Sequence, residues 1–310
     1  MTQSTPTTPD LTTTTIGIVG LGRMSVPIAR QLRDHGSSLR LWNRTREKAE
    51  HLARTDTDIE VCACPRDVAA GSDITIVMVT DANAVETVVF DLYEDAYGVI
   101  HGLDADDLLI DMGTTAALRT REFADRLRKI GAEWMDAPVL GGTLAAEAGE
   151  LAIMAGGSDN AFDRAYPLFS AIGNHITHVG AIGAGQIAKS TNQMIVGLTI
   201  GAVAEAFALA RHAGVEPGKI REALLGDPAH SRILDMQGER MIGGDYQPRT
   251  KCSIQHKDVA EAMQLATSVG ISLPGLKTNM KLWDHMLENG MADLDHSALL
   301  LAIDPGSGNA

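Results

Sequence analysis

A short β-branched run, Thr15 to Val19, is followed at once by Gly20, Gly22 and Ser25, and then by an amphipathic helical pattern lasting to about Gly36. No other stretch narrows the possible folds so far. A strand, a turn of G-x-G-x-x-G spacing and a helix make the first half of a βαβ unit. The glycines permit a tight turn and let main-chain N–H groups approach a pyrophosphate, where the helix dipole favours negative charge. Ser25 replaces the third glycine, whose usual purpose is close helix–strand packing, and serine is small enough for that. The predicted ligand is a dinucleotide, cradled by Gly20, Leu21, Gly22, Arg23 and Met24.

The second strand, SLRLWNRT, distinguishes between dinucleotides. An acidic residue at its end accepts the ribose 2′-hydroxyls of NAD. Here Asn43, Arg44 and Thr45 stand instead. A guanidinium can fork onto a 2′-phosphate, and the Asn43 amide and Thr45 hydroxyl are possible further donors, so the cofactor expected is NADP(H). The alternative is that Arg44 is only a solvated residue at a helix start.

Further strand-like runs are Ile59 to Ala63, Ile74 to Thr80, Leu108 to Met112, Ala132 to Val139, Leu151 to Gly157 and His175 to Gly180. Helical patterns intervene near Ala82 to Phe90, Ala116 to Ile130 and Asn160 to Ala171. The alternation predicts an α/β, Rossmann-like, doubly wound parallel sheet over residues 15–180. Ligands of such sheets bind beyond the carboxyl ends of the strands. That places Thr80 (after Val79) and Asp81, then Gly113 to Thr115 with Thr114 between them, then the turn from Asp136 to Thr143, which holds Leu140, Gly141 and Gly142, among the candidates. The glycine pair offers main-chain donors suited to a carboxylate, though a plain turn explains it equally well.

After Gly180 strand patterns cease. A long helix runs to about Ala213, and helical segments start near Pro217, Ser231, Lys257 and Pro274, so residues 181–310 are expected to form an all-α substrate and dimerisation domain joined by the long helix. That helix opens with GAGQIAKSTNQ, which puts Lys189, Asn192 and Gln193 at i, i+3 and i+4 on one face. An amine and two amides sharing a face of a mostly buried helix need polar partners, from a neighbouring loop or from a substrate.

Residues 1–14, rich in Thr and Pro and without an apolar core, are expected to be a disordered tail and not a secretory signal. The formal charge of −14 on 310 residues argues against nucleic acid or an anionic membrane as partner. The longest apolar run, Met194 to Ala204, is too short to cross a bilayer and is followed by Glu205, so a buried helix is expected. Cys62, Cys64 and Cys252 form neither a paired set nor a metal pattern. Buried thiols in a reducing cytoplasm and no metal are the expectation.

Four of these stretches resemble the 3-hydroxyisobutyrate dehydrogenase family, the β-hydroxyacid dehydrogenases related to 6-phosphogluconate dehydrogenase. GLGRMSVPIARQL resembles GLGxMGxPMAxNL, and DAPVLGGTLAAEAGELAIMAGG resembles DAPVSGGxxGAxxGTLxIMxGG. GAGQIAKSTNQ resembles GxGxxxKxxNN, and HKDVAEA resembles KDLxLA, all in family order from Ile16 to Ala262. The resemblance implies that Lys189 is the catalytic lysine, protonating a carbonyl oxygen in reduction and accepting a hydroxyl proton in oxidation. It implies that Lys257 is the second lysine of the site, near substrate and nicotinamide, and that Thr114 lies by the nicotinamide. Gly141 and Gly142 would bind the substrate carboxylate, and Asn192 would be the first asparagine of KxxNN. Dimers or tetramers are implied as well. A charged lysine suits proton donation, whereas acting as a base requires burial or the neighbouring Lys257 to lower its pKa.

Three positions depart from the pattern. Leu140 stands where the family has serine, removing a hydroxyl for the substrate carboxylate; an unreplaced bond to a charged group is worth roughly 1.5–3 kcal/mol. Gln193 stands for the second asparagine, and Gly113 for a serine that would narrow the nicotinamide end. The leading expectation is an NADP-dependent reductase of a small 3-oxo acid or semialdehyde, such as tartronate or methylmalonate semialdehyde. Leu140 motivates an alternative, a reductase of non-acidic aldehydes, ketones or cyclic imines, although Lys189 counts against imine reduction. A non-catalytic NADP-binding module is the third. His256, beside Lys257, is either a proton relay or a solvated or backbone-bonded histidine.

Overall fold

The computed structural model describes residues 10–54, 56–90 and 97–309. They divide into two compact units, the first ending at Lys189 and the second beginning at Ser190. The division between these units falls inside the long helix.

In the first unit β1 (Thr15–Val19), α1 (Ser25–Asp34), β2 (Ser38–Trp42), α2 (Arg46–Ala53), β3 (Ile59–Val61), α3 (Pro65–Ala69), β4 (Ile74–Val77), α4 (Ala82–Phe90), β5 (Leu108–Asp111), α5 (Ala117–Arg128) and β6 (Glu133–Asp136) alternate. The six strands pair in parallel in the order β3-β2-β1-β4-β5-β6, which reverses between β1 and β4. That is the dinucleotide-binding topology, with its crevice at the reversal. Every residue of β4 and β5 is buried, as parallel strands covered on both faces require. Alternate side chains enter opposite cores: Leu108 and Ile110 pack with Ile16, Ile28 and Phe169, while Leu109 packs with Phe123 and Trp134.

Three expectations are corrected here. The run Ala132 to Val139 is not one strand; it breaks around Pro138 into β6 and a two-residue β7 (Val139–Leu140). The glycine pair then opens a helix, α6 (Gly142–Ala148), that was read as a turn. Beyond it, β8 (Leu151–Gly156) runs antiparallel to β6 and β7, and β9 (Gly173–Gly180) follows α7 (Asp159–Ile172) and pairs in parallel with β8. The sheet is therefore mixed at this end, because residues 141–150 are too few for a parallel crossover. Finally, ordered structure begins before Thr15. Residues 1–9 of the expected tail lie outside the described residues, but Leu11 is 2 % exposed in the core and its N–H donates to His35 O at 3.0 Å.

α8 (Ala184–His212) starts in the first unit and continues into the second, where α9 (Pro217–Leu224), α10 (Arg232–Gly243), α11 (Cys252–Ser268), α12 (Pro274–Glu288) and α13 (Leu299–Ile303) follow. α11 begins five residues earlier than the pattern suggested. Its first turn is set by the Asp295 segment: the Thr250 N–H donates to Asp295 Oδ2 and the Cys252 N–H to Leu294 O. Ile200, Ala204 and Phe207 of α8 meet Val259, Trp283, Met286 and Leu299 in the core of this unit. At 29 residues with a window hydropathy of 1.7, α8 is long and apolar enough by composition to cross a bilayer. Core helices meet that criterion too, and the buried side of α8 is committed to this core.

Leu11→Ala should lower the stability of the folded chain by about 2–5 kcal/mol, as other buried leucine truncations do. A urea midpoint equal to that of the parent chain would show that the segment before Thr15 contributes no packing.

Candidate active site

The glycine loop between β1 and α1 has the shape its sequence promised. Gly20 has φ +100°, and a Cβ there would stand 2.5 Å from Met78 O and 2.8 Å from a Val79 methyl. A Cβ on Gly22 would meet nothing within 4 Å, so the space above it is open. Buried Ser25 accepts the Gly22 N–H on Oγ at 3.4 Å, which replaces the packing of a third glycine with a weak polar contact. These residues fit a pyrophosphate.

Asn43 does something other than expected. Its Oδ1 accepts the Leu21 N–H at 2.9 Å and its Nδ2 donates to Thr45 O at 2.8 Å. It fastens the glycine loop to the turn after β2 instead of presenting an uncommitted amide. Arg44 is exposed and, among the described residues, has no hydrogen-bond or ion-pair partner. It lines a cleft of ≈ 150 Å³ with Trp42, Asn43, Arg46, Cys62 and Ala63. That is below the 300–1,000 Å³ of a whole-ligand pocket, so the cleft fits one portion of a dinucleotide. Arg46 is committed to Glu50 and Cys62 O. Thr80 donates its hydroxyl to Asp81, which caps α4 through the Asn83 and Ala84 N–H groups.

Beyond β5 and β6 lies a buried polar joint that the sequence did not announce. Asp111 and Asp136 are register partners at the carboxyl ends of these strands. Asp111 Oδ1 accepts the Gly113 N–H at 2.9 Å. Asp136 accepts the Gly183 N–H on Oδ1 at 2.7 Å and the Gln186 N–H on Oδ2 at 2.8 Å, holding the amino end of α8. The Gln186 side chain donates to Gly113 O at 2.9 Å and accepts the Thr115 N–H at 3.1 Å. Burial pushes Asp111 up to about 6, against the pull of Thr115 and the Gly113 N–H. Burial likewise pushes Asp136 up to about 6, against the N–H groups of Gly183 and Gln186. Gly113 does not widen this end, since a Cβ there would sit 3.1 Å from both Asp111 Oδ1 and Val79 O.

Lys189 Nζ donates to Val139 O at 3.0 Å. The amine is thereby brought to the chain just ahead of Leu140, Gly141 and Gly142. Both glycines have positive φ, +125° and +69°, which explains their residue type, and both are exposed.

Within the second unit Asn192, Gln193 and Lys257 meet around Asp258. Gln193 Nε2 donates to Asp258 Oδ2 at 2.6 Å, and Asn192 Nδ2 donates to Gln193 Oε1 at 3.0 Å. With its Nε2 on Asp258, Gln193 turns its Oε1 toward the Asn192 amide. Both ends of the Gln193 amide are thus engaged within this unit, Nε2 on Asp258 and Oε1 on Asn192. Lys257 Nζ lies 3.5 Å from Asp258 and 3.7 Å from Glu261. His256 pairs with Asp284 at 2.9 Å, which accounts for it without a proton relay. Asp111, Gln186 and Asp258 were missed as site residues, and Asp136 was singled out only as the start of a candidate turn. An aspartate closing an otherwise apolar strand, as in EWMDAPV, was the available signal.

Two family models match the chain. One describes the NAD binding domain of 6-phosphogluconate dehydrogenase and matches residues 15–180; the other, the NAD-binding of NADP-dependent 3-hydroxyisobutyrate dehydrogenase, matches residues 183–303. The 2-hydroxy-3-oxopropionate reductase of Escherichia coli is 37 % identical over 289 residues, 93 % of this chain and 97 % of the relative. Among solved structures, the Mycobacterium tuberculosis 3-hydroxyisobutyrate dehydrogenase, crystallised with L-serine, superposes with a TM-score of 0.83 at 27 % identity, over 94 % of this chain and 99 % of that one. An imine reductase from Myxococcus stipitatus, with a TM-score of 0.61 at 20 % identity over 94 % of this chain and all of that one, shares the fold. The chain belongs to the 3-hydroxyisobutyrate dehydrogenase family. It is a hydroxyacid dehydrogenase, an oxidoreductase acting on CH–OH groups with an NAD(P)-binding Rossmann-type domain.

An aspartate whose pKa is higher folded than unfolded binds its proton more tightly in the folded chain. Its contribution to stability is complete below about pH 4 and is lost as pH rises through about 6. Urea midpoints of the parent chain should therefore fall relative to those of Asp111→Asn between pH 4 and 6.5. A constant difference across that range would contradict the burial of an ionisable Asp111.

Proposed function

We propose that this chain is an NADPH-dependent reductase that converts a small 3-oxo acid or semialdehyde, of the tartronate or methylmalonate semialdehyde type, to the 3-hydroxy acid. The observation that carries the reading is Lys189, whose amine is held on Val139 O at the entrance to the Gly141–Gly142 turn. An acid is thereby kept beside main-chain groups suited to a carboxylate. Bound NADPH supplies the hydride. The Lys189 ammonium gives a proton to the carbonyl oxygen as the carbon is reduced, and the neutral amine takes it back in the reverse direction. Gly141 and Gly142 receive the carboxylate, and Thr114 stands at the nicotinamide end. The roles given to Asn192 and Lys257 rest on the family resemblance.

NADP is favoured over NAD by Arg44, exposed in its cleft where an acidic residue would repel a 2′-phosphate. The similarity to the Escherichia coli 2-hydroxy-3-oxopropionate reductase supports a semialdehyde substrate. A cytoplasmic homodimer or homotetramer completes the reading, with no nucleic-acid or membrane partner. Its reducing setting is supported by Cys62, Cys64 and Cys252, all buried and free. Leu140 favours a second reading, in which an apolar entrance selects non-acidic aldehydes, ketones or cyclic imines.

NADPH and NADH oxidation over a panel of 3-oxo acids, uncharged aldehydes and cyclic imines decides between the two. Lys189→Ala should keep NADPH binding and lose roughly 10²- to 10⁴-fold in kcat on the acids; undiminished turnover would remove Lys189 from the chemistry. Arg44→Asp should lower the NADPH-over-NADH preference about 10- to 100-fold, the worth of a hydrogen bond to a charged group. An unchanged preference would locate cofactor discrimination elsewhere.

A further inference from the structure

Gln186 is 2 % exposed, and an amide survives such burial only when its hydrogen bonds are made. Both ends of this one go to a single loop, Nε2 to Gly113 O and Oε1 to the Thr115 N–H. Those two groups flank Thr114, so one side chain grips that residue from both sides. The Gln186 main chain is fixed as well, through its N–H on Asp136 Oδ2. One helical turn onward, about 4.5 Å along the axis, Lys189 reaches back to Val139, three residues beyond Asp136.

The contacts close a circuit. Asp111 at the end of β5 holds Gly113, Gln186 holds Gly113 and Thr115, α8 carries Gln186 and Lys189, and Lys189 returns to the segment that leaves β6 at Asp136. A side chain that merely filled space here could be leucine or methionine. The donor and acceptor of an amide match a carbonyl and an N–H two residues apart, which no apolar group does.

We propose that Gln186 is a positioning residue for the reaction, fixing Lys189 relative to Thr114 by gripping the Thr114 loop from the helix that carries the lysine. The proposal rests on the reading of Lys189 as the acid–base group. Misplacing reacting groups by about 1 Å costs on the order of 10²-fold in rate, so the joint belongs to the chemical step more than to binding.

Two substitutions test it. Gln186→Met keeps the length and removes both hydrogen bonds. Gln186→Glu restores them only when protonated, its O–H donating to Gly113 O and its C=O accepting the Thr115 N–H. Kinetics with NADPH and tartronate semialdehyde, the primary isotope effect from 4-deuterated NADPH, and NADPH affinity by fluorescence would be measured from pH 5 to 8. Gln186→Met should lose roughly 10- to 100-fold in kcat with KM within about threefold, and show a larger isotope effect than the parent chain. The kcat of Gln186→Glu relative to the parent should rise as pH falls. Parent-like kcat and isotope effect in Gln186→Met, or a loss matching only its folded fraction, would overturn the proposal. Should Gln186→Met not fold, a flat pH ratio for Gln186→Glu overturns it instead. Lys189→Ala in the same assay separates the two claims. Retained turnover there defeats the acid–base reading and the proposal together, whereas lost turnover beside a parent-like Gln186→Met defeats the positioning role alone.

Discussion

The carboxylate of Asp136 takes two N–H groups from the amino end of α8, and the arrangement of the first unit's chemistry depends on that contact. The first N–H groups of a helix have no partner within it and carry the positive end of its dipole. A buried carboxylate is costly on its own, as its pKa of about 6 records, and the helix end offsets part of that cost. Each group is what the other lacks. The result is a helix whose starting point is pinned to the carboxyl edge of the sheet, where dinucleotide-binding folds place their ligands.

A comparable device recurs in the second unit. Asp295 is fully buried and accepts N–H groups from Arg249, Thr250 and Ser297; burial raises its pKa, but Thr250, His296, Ser297 and Arg249 outweigh that and hold it below the usual value. Its contacts set where α11 begins, and α11 carries Lys257 and Asp258. Asp258 in turn orders the amides of Gln193 and Asn192. Both units thus use aspartates that only accept to give neighbouring groups a direction, which apolar packing cannot do.

What could be read from the sequence was what is encoded locally. The glycine loop, the buried strands and the apolar helices are written in patterns of a few residues, and they appeared where those patterns stood except for the strand that breaks at Pro138 and the earlier start of α11. The lysine and the glycine pair could be singled out because their neighbours in the chain are themselves unusual. Gln186 could not, since its partners lie more than 70 residues away in sequence and it looks like any other polar residue in a helix. Asn43 was recognised for its position but not for its use, because the Leu21 N–H it accepts comes from a different turn. The helix after Gly141 was hidden for the opposite reason: two glycines argue locally against helix, and packing of Ala146 in the core overrides them.

The departures from the family pattern now separate into two kinds. Gln193 is longer than asparagine by one methylene, and that length is absorbed inside its own unit, where the amide reaches Asp258 at 2.6 Å and sets Asn192 in turn. Leu140 is different, because it lies in β7 opposite Ala152 and next to the positive-φ glycines, and its side chain brings no hydroxyl to that turn. On the proposed reading, a substrate carboxylate would be left to the main-chain N–H groups of that turn, beside Lys189 on the Val139 carbonyl. A main-chain anion site is indifferent to what the rest of the substrate carries. On the proposed reading, the side chain at Leu140 is the apolar group nearest that turn, and discrimination among small acids would fall to it.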